Sequence, residues 1–512
     1  MTMISIGQLA KLASVSTRTI RYYETISLIP LSKRHENNYR YYDQVHVEVL
    51  KKIKALQELG FSLDEIKKIT AITNDEFKEY LQKQLVKIQN EITDLDQKKN
   101  LIQNILSVSH KIETGELLTL NERKIYMDSI NEQVLKNIHQ IYGGLNDDIQ
   151  NYLNRDTWVE NSEYADDYLN AIKKCIQFAK DRGLTLGPAR GSTPASLRMY
   201  SLGFSSVDPM KYNMIPERLS TQAPFFHIDV EYGQGQDFVN FCQEENKKLK
   251  WGEIQAFKMP LLDIIKSVHQ KIGYEINYNE IPDDSDIVLN HFKNVDIEKI
   301  FQFDFSEDAL VMNFEKFQPE YQGTKAIKKY LHGMNNITFN DIIHITALWR
   351  PYTAEIVERI NLFKKAKNNK FSYGFLDKEI EQELAATYGM IVYHEDLIKI
   401  ISYYTGWSRA RSNSLRRLLF KPKNNDYLQN TDYLDFKTIV PHEIHDLVVE
   451  ESKWAFCMPH AISFARFTKQ SAVVKSLHPA EYLESIGEFE TQYGIRWDDI
   501  GIRMKGVSLH QN

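Results

Sequence analysis

Three features of the sequence predict a mainly helical N-terminal region that runs into a coiled-coil helix, followed by a larger α+β region with a helical C-terminal part. The first seventy residues alternate short runs of helical apolar spacing with turn and capping signals. Apolar residues then recur at alternating spacings of four and three as far as Leu106. Beyond about Asn121, polar helical patterns are broken by one glycine-bearing loop and by a strand-like run at Phe225 to Tyr232.

With 512 residues, 42% of them hydrophobic, the chain holds apolar material for two or three packed domains. A formal net charge of -6 excludes a protein coated in basic surface, so any affinity for nucleic acid must come from local patches. Cys175, Cys242 and Cys457 lie far apart without a CxxC, which argues against a disulfide framework or a cysteine-rich zinc site. The opening MTMISIGQLAKL lacks the apolar core of a signal peptide, and no run approaches the roughly 20 apolar residues of a membrane span. A soluble cytoplasmic protein with no membrane partner is expected.

Ile6 to Leu12 has helical spacing, Ala13 to Ser16 turns the chain, and Thr17-Arg18-Thr19-Ile20-Arg21-Tyr22-Tyr23-Glu24 starts a second helix that Ser16 can cap. Arg18, Arg21 and Tyr22 suit phosphates and base edges in a major groove, as on a recognition helix. Ile29-Pro30-Leu31 ends that helix, and Lys33 to Tyr42 supplies a polar hairpin tip and an aromatic strand, the pattern of a basic wing. Helices are expected at Val45 to Leu59 and Leu63 to Thr70, the second begun by a capping box of Ser62 and Glu65.

IGQLAKLASVSTRTIRYYETISLIP followed by NNYRYYDQVHVEVLKKIKALQELGFSLDEIKKI resembles the MerR family of transcription regulators over the whole winged helix-turn-helix, residues 1–72. The resemblance implies contacts to double-stranded DNA from Thr17, Arg18, Arg21, Tyr22 and Tyr23 in the second helix and from Asn38, Tyr39 and Arg40 in the wing. For Ile20, Tyr41 and Tyr42 packing is the expected role.

Leu81, Leu85, Ile88, Ile92, Leu95, Ile102 and Leu106 form a coiled-coil stripe within residues 73–112, interrupted at Lys99. Either a second copy or the chain's own later region could cover it. The MerR resemblance implies the former, an antiparallel homodimer through residues 78–108. In that family the end of this helix often carries metal-binding cysteines. Here the first cysteine is Cys175, so a thiolate metal sensor at that place is not expected.

The loop Gly187 to Ser196 places Arg190 and small hydroxyl residues among glycines, a composition able to hold a phosphate. The surrounding AIKKCIQFAKDRGLTLGPARGSTPASLRMYSLGFSSVDPMKYNMIPERL, then IFQFDFSEDAL, ITFNDIIHITALWRP, TYGMIVYHEDLIKI, NSLRRLLFKPK and FCMPHAISFARFTKQSAVVKSLHPAEYL, resemble the alpha subunit of bacterial DNA polymerase III in order across 165–485. The resemblance implies an α+β palm over 121–300, with a small mixed sheet, and helical fingers with a C-terminal tail over 301–512. It also implies phosphate or nucleotide contacts from Arg190, Gly191, Ser192, Arg416, Arg417, Lys421 and Lys423.

Two-metal phosphoryl transfer needs several carboxylates around two magnesium ions. The family's PDxDxDF strand corresponds to Phe226-His227-Ile228-Asp229-Val230-Glu231-Tyr232, where period two sets His227, Asp229 and Glu231 on one face as a remnant metal site. Glu231 stands in place of the second aspartate, Pro260 in place of the third, and Phe456-Cys457-Met458-Pro459-His460 lacks the lysine of FNKSH. The palm between Glu231 and Lys258 is also much shorter than in the family. No cofactor is therefore expected with certainty, magnesium only if the remnant site works.

These readings favour a dimeric, sequence-specific DNA-binding regulator whose inactive polymerase-like module senses a nucleotide, DNA or a replication partner. The competing enzyme reading is a DNA-targeted polymerase or nucleotidyltransferase that uses Asp229 and Glu231, completed by Asp263 or Glu253. A third reading is a polymerase mimic that inhibits replication.

Overall fold

The computed structural model describes residues 3–34, 40–69, 74–114, 119–160, 162–219, 224–294, 331, 334, 336–348, 354–369, 371–420 and 426–494. The chain divides into two compact units, 1–118 and 119–512. The division falls between the expected end of the coiled coil and the expected start of the palm.

In the first unit β1 (Ile4–Ser5), α1 (Ile6–Ala13), α2 (Thr17–Thr25), β2 (Lys33–Arg34), β3 (Arg40–Tyr42), α3 (Gln44–Glu58), α4 (Leu63–Ile69) and α5 (Asn74–Thr114) follow in order. Ser5 and Gln8 close a capping box at the start of α1, and Ser14 in the left-handed region (φ 54°) ends it, so the turn into α2 is fixed at both sides. The strands form an antiparallel sheet in the order β1-β3-β2. Leu9, Ile20, Tyr42, Leu50, Ile53 and Ile66, from all four of α1 to α4 and from β3, form the core of this unit. The Ser62–Glu65 capping box is present. α5 is one uninterrupted helix of 41 residues, about 60 Å long at the usual rise.

The second unit contains α6 (Leu120–Tyr142), α7 (Asp147–Arg155), α8 (Ala165–Asp181), β4 (Leu186–Arg190), α9 (Leu197–Ser201), β5 (Phe225–Glu231), α10 (Gln236–Lys248), β6 (Glu253–Met259), α11 (Pro260–Ile272) and α12 (Asp286–Lys293). Next come α13 (Phe339–Leu348), α14 (Ala354–Asn369), α15 (Lys378–Glu383), α16 (His394–Thr405), α17 (Arg409–Phe420), α18 (Thr431–Ile439), α19 (His442–Glu451), α20 (Met458–Leu477) and α21 (Pro479–Tyr493). β5 is the middle strand of a mixed sheet, antiparallel to β4 and parallel to β6. A parallel neighbour requires a crossover, and α10 supplies it, packing on β6 and on α8. β6 passes directly into α11, where Pro260 occupies the first turn: its fixed φ suits that position and its missing N–H costs no hydrogen bond.

The region after residue 301 is not one separate helical body. Leu376, Leu397, Ile401, Leu415 and Phe436 build a second core among α15 to α19. α20 and α21 instead return to the palm, where Phe464, Phe467, Tyr482 and Phe489 pack against Leu261, Ile264, Ile265 and Val268 of α11. α20 is buried nearly all round, the pattern of a helix enclosed by a protein core. The expected palm–fingers boundary near residue 300 lies outside the described residues.

The far end of the glycine-bearing loop is held by fully buried Asp156. Its Oδ2 accepts the Ser196 hydroxyl at 2.8 Å and the Arg198 N–H at 3.0 Å, while Trp158 Nε1 donates to Ser196 Oγ at 3.0 Å. Burial pushes the Asp156 carboxyl up from 3.8 to about 6, against the pull of those hydrogen bonds. A carboxyl whose folded value is raised favours the native state while protonated, so its contribution declines as pH rises from about 4 to about 6. Asp156→Asn keeps an acceptor without charge and is expected to flatten that decline. Asp156→Ala strands two donors and should cost about 2–4 kcal/mol at neutral pH, read from urea unfolding of the second unit.

Candidate DNA-reading face and polymerase-like site

Ser16 accepts the Thr19 N–H at 2.9 Å and so fixes where α2 begins. Helical spacing then separates two faces. Thr17, Arg18, Arg21, Tyr22 and Thr25 are exposed, Tyr22 by 52%, while Ile20, Tyr23 and Glu24 are buried. Tyr23, expected among the DNA contacts, is corrected to a core residue: three positions after Ile20 it falls on the same buried face, and its hydroxyl donates to Gln57 Oε1 at 3.0 Å.

Glu24, which the sequence reading did not single out, ties the wing to the helix. Its Oε1 accepts the Ser32 N–H at 3.0 Å, and its Oε2 lies 3.2 Å from Arg40 Nε. Arg40 is thus half-exposed, one side of its guanidinium engaged with the protein. In a basic helix Glu24 looks like solvated charge; only its place on the apolar face betrays it. Asn38 and Tyr39 lie outside the described residues.

In the second unit the register of β5 brings His227 opposite Arg190 on β4 and sets Asp229 and Glu231 further along the strand. Asp229 and Glu231 are almost completely buried. Arg190 is buried too, with Nη2 3.2 Å from Asp229 Oδ1 and its guanidinium carbon 3.7 Å from the centre of the Phe257 ring. The arginine expected to face a phosphate is therefore turned onto the acidic strand. Glu231 has its own cation: Lys266 of α11 donates to Oε1 at 3.0 Å and Oε2 at 2.8 Å, and the Thr185 N–H reaches Oε2 at 3.2 Å.

Neither carboxylate offered as a substitute third ligand serves. Asp263 accepts the backbone N–H groups of Tyr232 and Gly233, clamping the turn after β5. Gly233 leaves room there: a Cβ would stand 2.9 Å from Asp263 Oδ1 and 2.0 Å from Tyr493 Oη, so those side-chain ends would have to shift. Glu253 pairs with Phe225 at the opposite end of β5 from Glu231, six residues and about 20 Å away. Among the described residues no group of three or more His, Cys, Asp or Glu side chains is placed to hold a metal ion. With Asp229 facing Arg190, Glu231 held by Lys266 and Asp263 bound to backbone amides, the carboxylates present do not fit a two-metal centre.

Beside this strand lies an excess of positive charge. Arg218 and Arg416 are buried, and Arg417 half-buried. Arg218 Nε is 2.8 Å from Glu395 Oε1, and the Nη groups of Arg218 and Arg416 both donate to Asn413 Oδ1, at 3.1 and 2.9 Å. Glu395 is the one carboxylate ion-paired to the three among the described residues. Burial, with Arg218 and Arg417 alongside, holds Arg416 well below the usual arginine range; burial, with Arg218 near, pushes Arg417 down to about 10. Arg416 Nε and Arg417 Nη1 are buried with no hydrogen-bond acceptor among the described residues. Three guanidiniums against one carboxylate make a place that favours an anion.

The cluster adjoins the glycine-bearing loop through Cys457, whose Sγ donates to Gly191 O at 3.3 Å and whose thiol is pushed up by burial. Gly191 adopts φ 70°, a conformation few side-chain-bearing residues accept, and Ser192 follows it half-buried. Met458 takes the place of the fingers lysine and donates its backbone N–H to Glu395 at 3.0 Å. Lys421 and Lys423 lie outside the described residues. Arg218, Asn413 and Glu395 were missed in the sequence reading, since they come from three distant segments.

Comparison with known proteins matches residues 4–71 to the family MerR HTH family regulatory protein and 47–105 to MerR, DNA binding. Residues 128–346 match the bacterial DNA polymerase III alpha NTPase domain and 260–440 the bacterial DNA polymerase III alpha subunit finger domain. The DNA polymerase III subunit alpha of Staphylococcus aureus (strain MRSA252) is 21% identical over 465 residues, covering 65% of this chain and 43% of that protein. That of Staphylococcus epidermidis (strain ATCC 35984) is 22% identical over 444 residues, covering 63% and 41%. The chain thus spans less than half the length of these curated relatives. Among solved structures, a MerR family transcriptional regulator from Bacillus cereus has 23% identity and a TM-score of 0.18 over 23% of this chain and 90% of that one. A MerR family regulator lacking the sensor domain, bound to promoter DNA, has 22% identity and a TM-score of 0.17 over 22% and 92%.

If Arg190 serves chiefly as the counter-ion of Asp229, Arg190→Met should destabilise the second unit by about 3–5 kcal/mol, because it strands a buried carboxylate. Adding Asp229→Asn should recover a large part of that loss. A double-mutant cycle by denaturant unfolding reads the coupling, and additive losses would exclude it.

Proposed function

We propose that this chain, which joins a MerR-type N-terminal region to a remainder similar to the alpha subunit of DNA polymerase III, is a DNA-bound regulator whose polymerase-like unit binds phosphate groups without extending a primer. α2 enters the major groove of double-stranded DNA with Thr17, Arg18, Arg21 and Tyr22, and Arg40 turns the wing toward the backbone. On α5, Leu85, Ile92, Leu95, Ile102 and Leu106 are each more than half exposed, a stripe suited to an antiparallel second copy. In the second unit a nucleotide or primer end supplies the negative charge that Arg218, Arg416 and Arg417 lack. Such a ligand regulates DNA binding only by favouring one arrangement of the two DNA-reading heads over another.

One observation carries this reading: the acidic strand is neutralised by the protein's own cations, while the adjacent arginines keep a surplus of positive charge. Recognition chemistry persists there, and the free carboxylates that phosphoryl transfer needs do not.

Arg18→Ala should abolish gel-shift binding to a duplex selected from random sequence by the wild-type chain, while leaving the dimer intact by analytical ultracentrifugation. Where residual affinity can be measured, the salt dependence should fall by about one counterion. Unchanged affinity would remove α2 as the reading element.

Calorimetric titration of the full chain with deoxynucleoside triphosphates and primed DNA should show binding that Arg417→Ala weakens by about tenfold or more. Primer extension with magnesium or manganese should be absent. Failure of both ligands to bind would remove the sensing role, and extension abolished by Asp229→Ala would restore the enzyme reading.

A further inference from the structure

We infer that Lys266 is a built-in counter-ion that takes the electrostatic place of a divalent cation at Glu231, so that the acidic strand of this palm stays closed to metal. The inference rests on the non-catalytic reading of the palm and gives it a physical cause.

A lysine ammonium has three N–H donors and no acceptor. All three are used here: Lys266 Nζ reaches Glu231 Oε1 at 3.0 Å, Glu231 Oε2 at 2.8 Å and Gly183 O at 3.1 Å. The carboxylate it neutralises is 2% exposed, and its Oε2 also accepts the Thr185 N–H. A metal ion would have to shed water and displace a fully hydrogen-bonded ammonium, itself 29% exposed, from a buried carboxylate that it already neutralises.

The local geometry opposes that exchange. Lys266 projects from α11, whose first turn is set by Pro260 and whose apolar face is locked against α20 and α21. The same first turn carries Asp263, which binds the backbone just beyond Glu231. The helix that positions the lysine therefore also fixes the strand end that receives it. The extra methylene of Glu231 relative to the family's aspartate extends its carboxylate further from the strand, toward that partner. Asp229 is served separately by Arg190.

The test follows Mn2+ binding to the full chain by electron paramagnetic resonance, together with thermal unfolding. Wild type should hold no Mn2+ at the palm, and its melting temperature should not respond to the ion. Lys266→Met should lower the melting temperature, gain Mn2+ affinity by about tenfold or more and recover stability when Mn2+ is added. Lys266→Met/Glu231→Gln should lose both the affinity gain and the recovery. Wild-type Mn2+ binding that Asp229→Asn or Glu231→Gln removes would overturn the inference even if the Lys266 variants do not fold. A folded Lys266→Met chain indifferent to Mn2+ would overturn it as well. Primer extension separates the two readings: metal bound without extension defeats the counter-ion and spares the non-extending role, whereas extension defeats that role.

Discussion

A carboxylate taken out of water must find positive charge, and in this protein that requirement organises the palm. Asp229 and Glu231 sit on the middle strand of a three-stranded sheet, nearly without solvent, and each is matched by a cation from a different neighbouring element. Arg190 comes from the antiparallel strand β4 and Lys266 from the helix that continues the parallel strand β6. The ion pairs thus tie β5 to β4 and to α11. Their geometry depends on the sheet register, and the register is in turn held by the charges it brings together.

The arginine cluster presents the complementary case, positive charge with too little negative charge around it. Arg218 precedes β5, Arg416 and Arg417 lie on α17, Glu395 lies on α16, and Cys457 links the group to Gly191. Arginine resists losing its proton even where burial and like charges disfavour it, so the imbalance is a standing one. The carboxylate of Glu395 offsets only one of the three charges. Two sites on one scaffold thus differ in charge balance, the acidic strand matched by Arg190 and Lys266 and the arginine cluster left with a surplus of positive charge.

The DNA-reading unit uses the same device on a smaller scale. Glu24 faces inward from a basic helix and gathers the Ser32 amide and the Arg40 side chain, so one buried carboxylate fixes the angle between helix and wing. Tyr23 anchors the same helix to α3 through Gln57. Both set the position of the exposed Arg18, Arg21 and Tyr22, the residues proposed to meet DNA.

Much of this was legible in the chain alone, because it depends on local signals. Capping residues such as Ser16 and Ser62 announced the helices, apolar spacing marked α5, and period two marked the strand from Phe225. The order of the polymerase-like segments and the absence of the expected carboxylate at Pro260 were also written there. What only the tertiary structure decided is which charges meet. Arg190 read as a phosphate ligand until the register of β4 on β5 turned it onto Asp229. Lys266 carried no signal until the course of α11 brought it to Glu231, 35 residues earlier in the chain. Local spacing sets the face on which a side chain falls, whereas electrostatic partnership depends on through-space distance, which folding alone supplies.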